Sequence, residues 1–427
     1  MSARRAPLRV GLAGFGTVGR SVARQLQQEP GIDLVAILNR RASERRGGPA
    51  GDLVRWTDSI DELLGEDLDV FIELIGGRDP ATRWIRRALE RGISVVTANK
   101  QVMAHDGPEL LALAAAHGCQ LRFEASVAGG VPVIRAIEGG LAGDRLTALT
   151  GILNGTCNYI LSRMEREGAP FAAALAEAQA LGFAEANPSQ DVEGLDARAK
   201  LAILAMVGFR IQAPAEAIAT RSIEPVTPFD FTYARRLGCT IRQIAWASRE
   251  GSRDQLSAGV GPSLVSLDSP LARVSGSENL VTVTGQLGGN TTFGGRGAGG
   301  DPTAVAVISD VLAIARRARP SPPRTFVRVR DVSRASSTPY YLRFTVRDRP
   351  GIIASLASIL AAQGINIDAI LQEPGFPAAA RPFVVTIDAA PPHAVEAALD
   401  GIHALDFHAV EPFAMPIIAA DVREVVA

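Results

Sequence analysis

The chain has 427 residues, 47% of them hydrophobic, with 44 cationic and 45 acidic side chains and a formal net charge of −1. That length predicts roughly two or three domains, each able to bury a core. The composition argues against a disordered chain, and it lacks the basic excess of a nucleic-acid binder. No apolar run approaches the roughly 20 residues that span a bilayer, so no membrane partner is expected. Cys119, Cys157 and Cys239 make neither a disulfide framework nor a zinc spacing, and no apolar signal core follows Met1 to Pro7. These features predict a reduced, cytoplasmic protein.

In chain order, Arg9 to Ala13 is a short apolar run followed by Gly14-Phe15-Gly16-Thr17-Val18-Gly19 and a helix through Leu26. Strand-like runs follow at Leu34 to Leu38, Val70 to Ile75 and Ile93 to Thr97, with helical patterns at Ala81 to Arg91 and Glu109 to His117. Strands alternating with helices predict parallel βαβ units in a doubly wound, Rossmann-type sheet. This unit is expected to end near Gly139, after a last strand at Leu121 to Glu124. Residues 140–320 mix Ala/Leu-rich helices with β-rich pieces as an α+β unit, and end in an apparent loop, Gly285 to Gly300, where eight of sixteen residues are glycine. Residues 321–338 are Pro-, Ser- and Arg-rich and read as a linker containing a short strand at Phe326 to Val329. Residues 339–427 read strand, helix, strand, strand, helix, strand: a compact βαββαβ unit.

The Gly14-x-Gly16-x-x-Gly19 motif closes a strand and opens a helix, the context in which it signals a dinucleotide site. Its glycines let backbone approach a pyrophosphate, whose charge the helix N-terminus favours. After the second strand, where an acidic residue would bind the ribose hydroxyls of NAD, the chain has Asn39-Arg40-Arg41. Arg40 there suits a 2′-phosphate, so NADP is the expected cofactor, with NAD also admitted.

Only two lysines occur, Lys100 and Lys200. A guanidinium does not deprotonate in a protein, whereas an amine can give and take a proton. Lys100 falls just past the carboxyl end of a sheet strand, the edge where α/β sheets bind ligands. Lys200 follows Asp196 by one helical turn, which puts both on one face of a largely apolar helix. An ordinary surface pair is the bland alternative. Asn154-Gly155-Thr156 at a helix start, and Glu185, Asp191 and Asp196 leading to Lys200, complete an inventory fit to bind a small zwitterion and move a proton on its hydroxyl.

Taken in order, these residues resemble homoserine dehydrogenase. The resemblance runs through Gly11 to Gly19, Glu73-Leu74-Ile75-Gly76-Gly77, Thr97-Ala98-Asn99-Lys100, Asn154-Gly155-Thr156, Gly182 to Lys200, and Gly297-Ala298-Gly299 with Pro302-Thr303-Ala304. The C-terminal unit, with Asp348-Arg349-Pro350-Gly351 after its first strand, resembles an ACT domain of ferredoxin-like topology. The resemblance implies nicotinamide-dependent interconversion of L-homoserine and L-aspartate 4-semialdehyde, on the route to threonine, methionine and isoleucine. It implies Lys200 as proton donor and acceptor at C4, with Lys100 and Asp196 completing the catalytic set. Glu185, Asp191, Thr156, Gly155 and Asn154 would bind substrate. Gly14, Phe15, Gly16, Thr17, Val18, Gly19, Arg40, Lys100, Gly182 and Gly299 would contact the cofactor. It further implies a monovalent-cation site (sodium or potassium), largely of backbone carbonyls, at Glu124, Val127, Gly129 and Val131. A homodimer or homotetramer formed through the middle domain, and L-threonine as an effector of the ACT domain near Gly364 to Ile367, are also implied.

Two rivals remain. A cysteine-dependent semialdehyde dehydrogenase would use Cys157, but such a thiol usually needs a base and the middle segment has no histidine. A non-catalytic metabolite sensor explains both ends of the chain but not the carboxylate–lysine run. A zinc alcohol dehydrogenase is excluded by the missing ligand set.

Overall fold

The structure, a computed structural model, describes residues 6–42, 54–249, 255–316, 325–333 and 337–418. The first unit comprises β1 (Leu8–Ala13), α1 (Thr17–Leu26), β2 (Ile32–Leu38), β3 (Arg55–Thr57), α2 (Ile60–Gly65), β4 (Val70–Glu73), α3 (Ala81–Glu90), β5 (Ser94–Thr97), α4 (Lys100–Ala116) and β6 (Leu121–Arg122). Its strands are parallel in the order β3-β2-β1-β4-β5-β6. That is the doubly wound order, with its crevice where β1 and β4 diverge. Both faces are covered, so β4 and β5 are buried at every position rather than at alternate ones.

Two sequence expectations change here. The helix expected at Glu109 begins nine residues earlier, at Lys100, and runs through Gly107 and Pro108. Gly107 makes room for a neighbouring helix, since a Cβ there would lie 3.1 Å from Met206 Sδ. The strand expected at Leu121 to Glu124 stops at Arg122, and Glu124–Ser126 forms a 3₁₀ turn.

The middle unit contains α5 (Val133–Arg135), β7 (Leu146–Ile152), α6 (Gly155–Glu167), α7 (Phe171–Ala180), α8 (Ser189–Val192), α9 (Leu195–Phe209), β8 (Ile211–Gln212), β9 (Ala219–Thr220), α10 (Pro228–Arg236), β10 (Cys239–Ser248), β11 (Ser257–Ser266), β12 (Glu278–Gly285), β13 (Gly289–Arg296) and α11 (Gly300–Ala315). The glycine-dense stretch is therefore mostly a strand: β13 pairs antiparallel with β12 along its whole length. Helix α9 lies on the β7, β10 and β11 sheet and buries Leu201, Ile203, Leu204, Met206, Val207 and Phe209. Each such side chain contributes about 1.5–3 kcal/mol by leaving water. Helix α11 crosses back to pack on α1, and its Ala304, Val307 and Val311 share a core with Val10, Leu12 and Val22.

After the short strand β14 (Val327–Arg328), the C-terminal unit is β15 (Thr338–Val346), α12 (Ile352–Ala362), β16 (Ile367–Leu371), β17 (Arg381–Ala390), α13 (Pro392–His403) and β18 (His408–Ile418). Its strand order β18-β15-β17-β16 is the ferredoxin-like arrangement expected of an ACT domain. This sheet continues the middle unit's sheet, because β18 pairs parallel with β11 through Leu264–Ile417 and Val265–Ile418. A buried cluster locks the junction: Asp230 of α10 accepts from Tyr341 Oη at 2.8 Å and pairs with Arg343, which also donates to Thr227 Oγ1 at 3.0 Å. The expected linker is thus partly structured, with β14 paired to β8; residues 317–324 and 334–336 lie outside the described residues.

Candidate active site

Lys100 is the first residue of α4, and the turn before it is held by a buried acid. Glu73, at the carboxyl end of β4, accepts from Thr97 Oγ1 at 2.6 Å, Asn99 Nδ2 at 3.4 Å and the amides of Ile75 at 2.8 Å and Gly76 at 3.3 Å. Burial raises the Glu73 carboxyl above the ordinary glutamate range despite these four donors. Asn99 then caps α4, its Oδ1 accepting from the amides of Gln101 and Val102 at 3.1 and 3.2 Å. The sequence placed Glu73 in a motif without assigning it a role; the one visible signal was an acid inside an otherwise apolar strand.

Lys100 reaches Asp196 Oδ1 at 2.5 Å, and Lys200 donates to Asp196 Oδ2 at 2.7 Å and to the Leu153 carbonyl at 2.8 Å. One buried carboxylate therefore grips both lysines of the chain, one through each oxygen. Burial opposes the Asp196 charge, but the two ammoniums outweigh it and hold the carboxyl well below the usual carboxylate range. Burial likewise opposes the Lys100 charge, yet Asp196, with Asp191 and Glu185, raises the amine above its ordinary value.

Asn154 caps α6 by accepting the Cys157 amide at 2.8 Å, while its Nδ2 donates to Asp191 Oδ1 at 2.6 Å and Asp196 Oδ2 at 2.9 Å. Burial raises the Asp191 carboxyl, Asn154 opposing and Asp196 assisting. Thr156 Oγ1 donates to the Phe183 carbonyl at 2.7 Å, which ties the exposed turn at Gly182 to the start of α6. Gly155 lets that start approach the chain beside it, since a Cβ there would lie 2.6 Å from the Ser277 carbonyl. Glu185 is exposed at the rim. Beneath the cluster, Gln243 Nε2 donates to the Asp191 carbonyl at 3.3 Å, a contact that no local sequence feature announces.

Cys157 is fully buried, and its Sγ donates to the Asp191 carbonyl at 3.1 Å. Burial, then the Asp191 and Asp196 charges, push its thiol well above the ordinary range, which disfavours a thiolate nucleophile.

At the glycine motif, Gly14 has φ 101°, and a Cβ there would lie 2.6 Å from the Leu74 carbonyl. An added Cβ at Gly16 would meet nothing within 4 Å, and no side chain caps α1, so the first amides of that helix have no side-chain acceptor at its cap. Phe15 is buried against Trp56 of β3. Gly299 has φ 112° and precedes α11 beside this loop, where a Cβ at Gly300 would lie 2.9 Å from Ser21 Oγ and 3.1 Å from Thr17 Cγ2. Arg40 is exposed just past β2.

Among the described residues, no group of three or more His, Cys, Asp or Glu side chains could hold a metal ion. The Glu124 carboxylate is already engaged, accepting the amides of Ile134 at 2.9 Å and Arg135 at 2.8 Å. Any cation held by Glu124, Val127, Gly129 and Val131 would therefore rely on their carbonyls, on a turn where Ala128 and Gly129 have φ 52° and 48°. Burial, then the neighbouring Asp310 carboxylate, push Glu124 up to about 7.

A dinucleotide loop, a buried carboxylate–diamine cluster and a ferredoxin-like C-terminal unit define a nicotinamide-dependent oxidoreductase with an ACT domain. The profile of the homoserine dehydrogenase NAD-binding domain matches residues 14–124, that of homoserine dehydrogenase 132–312 and that of the ACT domain 340–404. A homoserine dehydrogenase of Mycobacterium bovis is 41% identical over 395 residues, covering 86% of this chain and 87% of its own. That of Bacillus subtilis is 39% identical over 382 residues, covering 86% and 88%. A crystal structure of a homoserine dehydrogenase from Thiobacillus denitrificans superposes with a TM-score of 0.88 at 34% identity, covering 97% of this chain and 99% of the other. A hyperthermophilic archaeal homoserine dehydrogenase in complex with NADPH superposes with a TM-score of 0.62 at 26% identity, covering 73% and 98%. The chain belongs to the homoserine dehydrogenase family. Among the described residues, no helix is long and apolar enough to cross a membrane.

Proposed function

We propose that the chain interconverts L-homoserine and L-aspartate 4-semialdehyde with Lys200 as proton donor and acceptor at the C4 oxygen. The observation that carries this reading is the grip of Asp196 on both lysines. The nicotinamide, when bound, accepts or supplies the hydride. Lys200, fixed between Asp196 and the Leu153 carbonyl, takes the hydroxyl proton in oxidation and returns it in reduction. Lys100 steadies the same oxygen from the carboxyl edge of the first sheet. Glu185 and Asp191 suit the ammonium of an amino-acid substrate, while Asn154, Gly155 and Thr156 form the wall on which it lies.

NADP is the preferred cofactor in this reading, carried by Gly14 to Gly19, Arg40, Lys100, Gly182 and Gly299, with Arg40 taking the 2′-phosphate; the NADPH complex of the archaeal relative supports it. A monovalent cation would sit on the carbonyls of Glu124, Val127, Gly129 and Val131. What supports it is the pair of buried acids there, Glu124 and Asp310, with Arg135 pairing to Asp310 at 2.8 Å. Domain limits at 1–139, 140–320, 321–338 and 339–427, a homodimer or homotetramer, and a cytoplasmic role in threonine, methionine and isoleucine synthesis complete the proposal. The oligomer is supported by β13, which among the described residues ends the large sheet with an unpaired edge. L-Threonine would act through the ACT domain near Gly364 to Ile367. Homoserine oxidation is to be followed by absorbance of the reduced cofactor, with NADP and NAD, with and without threonine, and with sodium and potassium removed. Absence of turnover with either cofactor would refute the reading.

A further inference from the structure

A cleft of about 150 Å³ lies where the ACT unit meets the middle unit, between β9, β11 and the start of α13. A cavity of that order accepts a guest the size of benzene. Its floor is one face of β11, kept low by two glycines: a Cβ at Gly259 would lie 2.8 Å from the Trp246 ring, and one at Gly261 would lie 3.1 Å from Arg221 Cβ. The walls are otherwise mostly apolar, with Ala219, Pro392 and Pro416 among them. Two opposite charges also line it: Arg221, from the middle unit, and Glu396, from the ACT unit, 3.5 Å apart with side chains 40% and 37% exposed. Arg221 also donates to the Ala414 carbonyl at 3.4 Å. A half-exposed pair at that separation holds the fold weakly, so its members can exchange each other for a ligand's charges.

We propose that this cleft binds a short-chain α-amino acid, its carboxylate on Arg221, its ammonium on Glu396 and its side chain over the glycine floor beside Trp246. The site differs from the Gly364 to Ile367 segment. One strand separates it from the catalytic helix. The Val260 carbonyl accepts the Arg221 amide at 2.9 Å, while a Cβ at Gly194 would lie 3.0 Å from Val260 Cγ1 and 3.6 Å from Thr220 Cβ. Gly194, at φ 80°, is the residue from which α9 starts, two residues before Asp196. The Val192 carbonyl likewise accepts the Ile223 amide at 3.0 Å. A ligand that parts Arg221 from Glu396 therefore pushes on the β9–β11 pair against which the Asp191 to Asp196 segment rests. This regulatory half rests on the proposed reading of the Asp196 cluster as the catalytic centre.

The test uses the full chain with L-threonine, its apolar isostere L-valine and D-threonine as probes, in calorimetry and in the homoserine assay. Arg221→Gln and Glu396→Gln, neither in the catalytic cluster, should keep basal turnover within about twofold and weaken binding of the preferred L-amino acid at least tenfold. Asn366→Ala should leave that binding unchanged. Full homoserine turnover in a wild-type chain that binds none of the probes overturns the site while leaving the enzymatic reading standing. Binding that survives both variants, or that is lost only in Asn366→Ala, also overturns it. Binding that both variants weaken, but that leaves turnover and KM for homoserine unchanged, overturns the coupling to α9.

Discussion

Lys200→Arg isolates proton transfer from charge. An ammonium has three donors, and Lys200 spends two on Asp196 Oδ2 at 2.7 Å and the Leu153 carbonyl at 2.8 Å, leaving one for a substrate oxygen. Arginine keeps the positive charge beside Asp196 but does not release a proton near neutral pH. General acid–base catalysis is typically worth about 10²–10⁴-fold, or about 3–5 kcal/mol of barrier. The variant should therefore lose at least a hundredfold in kcat, while binding of the reduced cofactor, read by fluorescence, stays within a few-fold. Lys200→Met is the stability control. It leaves the Leu153 carbonyl without its donor and Asp196 with one amine fewer, which costs about 1–3 kcal/mol and should lower Tm more than arginine does. Turnover is followed by absorbance of the reduced nicotinamide with homoserine in excess. If Lys200→Arg retained more than a tenth of wild-type kcat, Lys200 would not be the proton shuttle.

Asp196→Asn should reduce turnover at least tenfold and alter the pH dependence of stability. In the native chain Asp196, held low, contributes stability above the ordinary carboxyl value that is lost as pH falls through its folded value; Lys100, held high, contributes stability below the ordinary amine value that is lost as pH rises through its own. With the carboxylate gone, burial of Lys100 is opposed only by the weaker pull of Asp191 and Glu185, so alkaline loss of Tm should begin at lower pH; superimposable profiles of Tm against pH would refute this. Cys157→Ala should keep most of its turnover, and thiol-blocking reagents should spare the native enzyme, because the buried thiol is held protonated. Loss of activity with an intact fold would revive the thiol nucleophile. Arg343→Met leaves Asp230 buried without its cation, which costs about 3–5 kcal/mol. Limited proteolysis should then cut near the junction first, and an unchanged cleavage pattern would mean that the cluster does not hold the ACT unit.

What could be read from the sequence was local. Gly14 to Gly19 announced the cofactor loop because strand, motif and helix are contiguous, and Asp196 with Lys200 announced a shared face because helical spacing is fixed. The match of Lys100 to the same carboxylate was not legible, since it depends on α4 packing against α9 at Gly107 and Met206. That packing also hid the true start of α4: Gly107-Pro108 reads as a break until the cap at Asn99 and the space needed by Met206 are seen. The β13 strand was hidden because its alternate exposure is carried partly by glycines, which have no side chain to set a period. Glu73 was visible as a residue but not as the acceptor of four donors, which only the folded turn brings together.

The shared carboxylate also explains why a chain that otherwise uses arginine keeps lysine at these two positions. Asp196 has two oxygens, and each takes one amine from a different element: Lys100 from the start of α4, Lys200 from the second turn of α9. A guanidinium at either place would present a planar fork that claims both oxygens at once and displaces the other cation. Lys100 is the more exposed of the two, 37% against 14% for Lys200, and sits where the α4 dipole disfavours a positive charge. It therefore depends on Asp196 for its placement more than Lys200, which also holds the Leu153 carbonyl. Arginine at position 200 would thus remove the proposed proton carrier and at the same time loosen Lys100, so its effect on turnover should exceed that of arginine at position 100.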